Sequence, residues 1–180
     1  MSSFRLIKQV DMSGANIVDV NNIFSDDFDI YRVVVSDWNT DGTGGTTYYM
    51  RLLNSAGTMQ INAQYEYAHR RTNSANTTIS DAGQFDQTSW ENPFLSAYPV
   101  PDTSSGIVDF FYPFDNDKDT IILYDTCSTN NSTVFSRTGG GRYTAPSYNS
   151  FTGFRLFPHS TSQNNTITSG QISVYGYRNA

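Results

Sequence analysis

Asp37-Trp38-Asn39-Thr40-Asp41-Gly42 comes nearest to a ligand set in this chain. Alternating oxygen donors followed by glycine are what a hard cation such as calcium takes from an EF-hand loop. The last ligand position falls on Tyr48 rather than on a bidentate glutamate, and the flanks pattern as strands. The segment therefore reads as an ordinary hairpin loop. In Asp115-Asn116-Asp117-Lys118-Asp119 the lysine weakens the field a cation would feel, so a solvated turn is expected. His69 and His159 are the only histidines and lack metal-ligand spacing. Cys127 beside either would be a thiol nucleophile on paper, but it follows a well-patterned strand, where a buried inert thiol is expected. Gly139-Gly140-Gly141 has no following helix to offer a phosphate its N-terminus and reads as a hairpin tip. Glu66 and Glu91 are the only glutamates, and no carboxylate pair stands out for glycosidic chemistry. The expectation is no catalytic residue, no metal and no cofactor.

The aromatics carry more. Trp38, Trp90, Tyr98, Tyr143 and Tyr148 fall in segments that read as loops. Loop aromatics stack on sugar rings or anchor protein interfaces. The competing reading is that they close the ends of the fold. These five are the candidate interface or glycan contacts.

The elements that must position them are strands. Glutamate and lysine are scarce, while 12 Tyr and 12 Phe accompany many Val, Ile and Thr residues; helix builders are missing and strand formers abound. Period-two alternation predicts strands at 4–10, 15–20, 28–36, 46–53, 61–70, 107–112, 120–126, 133–137, 150–157 and 171–177. Residues 71–88 are polar and read as a long loop or weak edge, and the prolines within 90–101 make that stretch irregular. Nine or ten antiparallel strands with no helix imply a single all-β domain over 1–180, a β-sandwich of the jelly-roll kind. The Cys–Trp–Cys framework of an immunoglobulin-like sandwich is absent.

Net charge is −6, and Arg70-Arg71 is the only basic doublet. A nucleic-acid partner is not expected, because phosphate binding needs a cationic footprint. The longest apolar runs are too short to span a membrane. The N-terminal segment lacks the anatomy of a signal peptide, so synthesis in a cytoplasm with release by lysis is expected. Cys127, the single cysteine, cannot form an internal disulfide, so stability must come from the core.

Four pieces, taken in order, resemble small virion structural proteins of tailed bacteriophages, especially aquatic and cyanobacterial phages. They are Phe28-Asp29-Ile30-Tyr31-Arg32-Val33-Val34-Val35, Tyr49-Met50-Arg51-Leu52-Leu53-Asn54-Ser55-Ala56-Gly57, Tyr65-Glu66-Tyr67 and the ending Gly170-Gln171-Ile172-Ser173-Val174-Tyr175-Gly176-Tyr177. The resemblance implies a jelly-roll fibre, capsid decoration or appendage protein in the virion, acting through protein–protein assembly and bringing no catalytic residues. Its implied partners are other capsid or tail proteins and copies of itself, with a trimer as first expectation. The alternative is a carbohydrate-binding module of a fibre that reads a host surface glycan. Gly57 is expected to relieve a turn, and Gly176 to thin the last strand where another backbone approaches.

Overall fold

Alternation of buried and more exposed residues runs over 18–20, 30–35, 48–52, 65–69, 104–111 and 120–128 of the computed structural model, which describes residues 4–42, 44–75, 79–94, 96–144, 150–159 and 165–177. Among these residues there are twelve strands and no helix. They are β1 (Phe4–Asp11), β2 (Val18–Val20), β3 (Ile30–Thr40), β4 (Tyr48–Asn54), β5 (Tyr65–Asn73), β6 (Ile79–Gln87), β7 (Trp90–Glu91), β8 (Ser104–Phe111), β9 (Thr120–Asn130), β10 (Thr133–Tyr143), β11 (Phe151–Pro158) and β12 (Ile167–Tyr177).

The strands form two antiparallel sheets, ordered β1-β12-β3-β8-β9-β10-β5-β6 and β2-β11-β4-β7. The pairs β1:β12, β2:β11, β3:β8 and β4:β7 are the rungs of one long antiparallel ribbon. Rolling that ribbon puts alternate rungs in opposite sheets, which gives the two four-stranded layers of a jelly roll. Two hairpins are added to it. β5–β6 lies between β4 and β7 in sequence, β9–β10 between β8 and β11, and both extend the larger sheet beyond β8. The smaller sheet has only four strands, so the hairpin strand β6 is exposed along its length.

Twelve strands exceed the nine or ten predicted, for two local reasons. The polar stretch 71–88 holds the end of β5 and all of β6, an edge strand with no buried face and hence no hydrophobic alternation to betray it. β7 is two residues long, below what periodicity can register. A third departure concerns Gly139-Gly140-Gly141, which lies within β10 rather than at a hairpin tip. A Cβ on Gly141 would come within 2.7 Å of the Trp90 indole nitrogen, and one on Gly139 within 2.8 Å of the Tyr124 ring. The glycines let those rings approach the strand closely.

The core is aromatic. Trp38, Trp90, Tyr31, Tyr48, Tyr65, Tyr143, Phe94, Phe110 and Phe154 are its largest fully buried side chains. Tyr65 meets Trp90 edge-on at 4.9 Å and Tyr143 at 4.7 Å, the geometry that ring quadrupoles favour. The Tyr31 hydroxyl is tied to backbone: it donates to Ser25 O at 2.8 Å and accepts from Ser25 N at 2.7 Å. Gly57 does relieve a turn, at φ 73°. Gly176 makes room for a ring and not a backbone, since a Cβ there would meet Phe28 at 2.6 Å.

Candidate functional site

Of the five aromatics read as loop contacts, three are core residues. Trp38 lies in β3, Trp90 in β7 and Tyr143 at the end of β10, each 1 % exposed or less. Trp90 Nε1 donates to Glu66 O and Arg142 O, both at 3.2 Å, and Trp38 packs on Tyr48 at 4.6 Å. A sugar or a partner cannot stack on these rings as they stand. Long-range pairing buries them, which local polarity around Trp38 and Trp90 conceals. Tyr98 is 9 % exposed and stacks on Phe135 at 6.4 Å. Tyr148 lies outside the described residues.

The two acidic segments are occupied by their own chain. Asp41 Oδ1 accepts from Thr166 N at 2.8 Å, while Asp37, at φ 53°, orients Asn39 through its carbonyl and carboxylate. Lys118 Nζ reaches Asp115 Oδ2 at 2.7 Å and sits over the Tyr112 ring. Among the described residues no three of His, Cys, Asp and Glu are grouped to hold a metal. His69 stacks on Tyr67 at 5.8 Å, and His159 packs on Tyr49. Cys127 is exposed on the outer face of β9, contrary to the buried thiol expected, because the strand continues past Thr126 and alternation turns the side chain outward.

The outer face of the large sheet is unlike an ordinary solvated surface. Strand registry lines up Phe4, Tyr177, Ile30, Phe111 and Ile121 in one row across five strands. Leu6, Tyr175, Arg32, Asp109 and Leu123 make the next row. Phe4, Leu6, Ile121 and Leu123 are 41–54 % exposed. Three ion pairs lie in the plane of this face, and Asp125 on β9 is exposed there beside them without a counter-charge among the described residues. Arg32 faces Asp109, Arg142 faces Glu66 and Arg70 faces Asp81, each directly across adjacent strands with both carboxylate oxygens engaged. Sequence reasoning missed these pairs because their members lie as far as 77 residues apart. Donating to Asp109 raises the Arg32 guanidinium further above its ordinary value, and the hydrogen bonds that Arg70 donates hold Asp81 below the ordinary carboxylate range.

A second feature lies on the inner face, where the added hairpins overhang the small sheet. Thr47, Glu91, Asn92, Ser96, Tyr98 and Arg137 line a cavity of about 120 Å³ there, with Arg71, Ser128 and Phe135 completing it. Tyr67 Oη donates to Glu91 Oε2 at 2.6 Å. Hydrogen bonding to the carboxylate and burial both push the Tyr67 phenol above its ordinary value, burial more strongly.

No known family model and no curated protein matches the chain. Among solved structures it is similar to a chain in "Structure of infectious bursal disease virus Gt strain", at 9 % identity and a TM-score of 0.17, over 99 % of this chain and 39 % of that one. At that score the likeness carries no argument, and this chain spans well under half the length of its neighbour.

Proposed function

We propose that this protein is a non-catalytic structural subunit of a tailed-phage particle, a capsid decoration or a head or tail appendage. It works by packing against copies of itself and neighbouring virion proteins. One observation carries the assembly reading: the apolar rows and in-plane ion pairs on the outer face of the large sheet. The whole eight-stranded face, at ~4.8 Å spacing and ~30 Å length, is on the order of 1,000 Å², and the apolar rows cross five of its strands. A standard interface takes about 800 Å² from each partner. A chain of net charge −6 resists self-association unless its contact surface carries little net charge, and the in-plane ion pairs reduce it, with Asp125 left uncompensated. The phage assignment rests on the sequence resemblance alone.

Light scattering on gel-filtered protein tests the assembly, and mass spectrometry of purified particles tests the location. A closed homo-oligomer, converted to monomer by Leu123→Asp, is the expected result. A strict monomer at high concentration, or absence from particles, overturns the reading.

A further inference from the structure

Four of the described arginines share one habit, and Arg137 does not follow it. Arg32, Arg70, Arg142 and Arg155 each present their Nε–Nη2 edge side-on to a carboxylate directly across a strand pair. Arg51 presents the same edge to the backbone and hydroxyl oxygens of Thr88. Arg137 is only 6 % exposed. It donates from Nη1 to Asn92 O at 3.0 Å, and its Nε has no partner among the described residues.

No carboxylate stands opposite it. Registry on β10 puts Thr126 on one side and Arg71 on the other. Two guanidinium groups directly across a strand pair repel each other, and a buried cation without a counter-ion is costly. Burial lowers Arg137 from its ordinary value, and Arg71 adds to the effect. Arg71 itself lies over the Phe135 ring at 4.7 Å. Glu91 is the one carboxylate that lines this cavity, and its Oε2 is engaged by Tyr67. The charges around the cavity therefore sum to one excess positive charge, from Arg71 and Arg137 against Glu91.

Its polar lining asks for more than an ion. Asn92, held at φ 50° in a conformation that asparagine tolerates, keeps Oδ1 buried without a partner. Ser96, Thr47 and Tyr98 add hydroxyls around it. A volume of about 120 Å³ is below that of a drug-sized site and suits one small head group.

We propose that this cavity binds the carboxylate of an acidic monosaccharide between Arg71 and Arg137, with ring hydroxyls directed at Glu91; Arg137 Nε and Asn92 Oδ1, sealed from solvent in the free chain, are uncovered as the lining parts around the ligand. The planar Nε–Nη2 fork matches a carboxylate bidentately, as it does four times elsewhere among the described residues. This site does not depend on the assembly reading, since it lies on the opposite face of the large sheet.

The test is NMR titration of the arginine Nε–Hε signals in the full chain with sodium glucuronate, sodium N-acetylneuraminate, sodium acetate and glucose, repeated in Leu123→Asp to separate binding from assembly. The expected result is saturable movement of the Arg137 signal with at least one acidic sugar, weaker binding of acetate and none of glucose. Arg71→Ala, a half-exposed position, should weaken binding at least about tenfold with an unchanged fold; Arg137→Lys should do the same if it folds. No saturation by either acidic sugar up to about 100 mM overturns the proposal. So does acetate binding as tightly as the sugars, or Arg71→Ala binding undiminished.

Discussion

Arg32 and Asp109 face each other across β3 and β8, with Nε to Oδ1 at 2.8 Å and Nη2 to Oδ2 at 2.7 Å, while the same guanidinium lies over Phe4 at 5.4 Å. The pair sits in the middle of the apolar rows of the outer face. In the free chain it is partly solvated and worth about 1 kcal/mol or less. Between packed copies it would be buried, and removing one partner would strand a charge at about 3–5 kcal/mol. Asp109→Ala should therefore leave the urea midpoint of dilute protein nearly unchanged while weakening self-association by more than tenfold, roughly the 1.4 kcal/mol equivalent. Sedimentation over a concentration series reads the second effect. Equal association in variant and parent would place the contact elsewhere.

Tyr65 joins the two sheets. Its hydroxyl accepts from Leu52 N at 3.0 Å and donates to Gln60 O at 2.9 Å. β7 pairs with β4 only at Tyr49 and Met50, so the hydroxyl serves an amide that the sheet leaves unpaired. Tyr65→Phe keeps the ring packing and strands both backbone groups, which should cost about 1–3 kcal/mol. Urea unfolding should show a lower midpoint at constant slope. A changed slope would mean the native state itself had rearranged.

Gly141 and Gly44 make a matched pair. A Cβ at Gly141 would lie 2.6 Å from Glu66 O and 2.7 Å from Trp90 Nε1, whereas one at Gly44 meets nothing within 4 Å. Gly141→Ala should destabilise by about 1–3 kcal/mol through overpacking and shift the Trp90 fluorescence. Gly44→Ala should stay within about 0.5 kcal/mol of the parent. Comparable losses at both positions would refute the packing account of the triple glycine.

His69 gives the protein a pH-dependent weakness. Burial first, and Arg137 second, hold its imidazole below the ordinary 6.5. The unfolded chain therefore takes up the proton first as pH falls. The contribution of neutral His69 is complete above the ordinary value and is lost as pH drops through the folded one. Asp81 and Asp115 are held low by Arg70 and Lys118, so their contributions disappear only at more acid pH. The urea midpoint should fall between about pH 7.5 and about pH 5.5, and His69→Gln should flatten that fall. An unchanged slope in the variant would assign the effect to other groups.

The amino-acid sequence by itself determined the all-β class and most of the strands. The runs over residues 30–35 and 120–128 alternate because one face of a pleated strand is buried, and that is a local property. β6 escaped notice because all but its last residue are exposed and nothing in its composition marks it as paired. Only the tertiary structure decided the fate of the aromatics and charges. Trp90 looks like a loop residue until β5 and β10 close over it, and Arg32 and Arg137 look alike in the chain. One finds Asp109 across the sheet and the other finds Arg71. That difference is set by the register of strands remote in sequence, which no local pattern encodes.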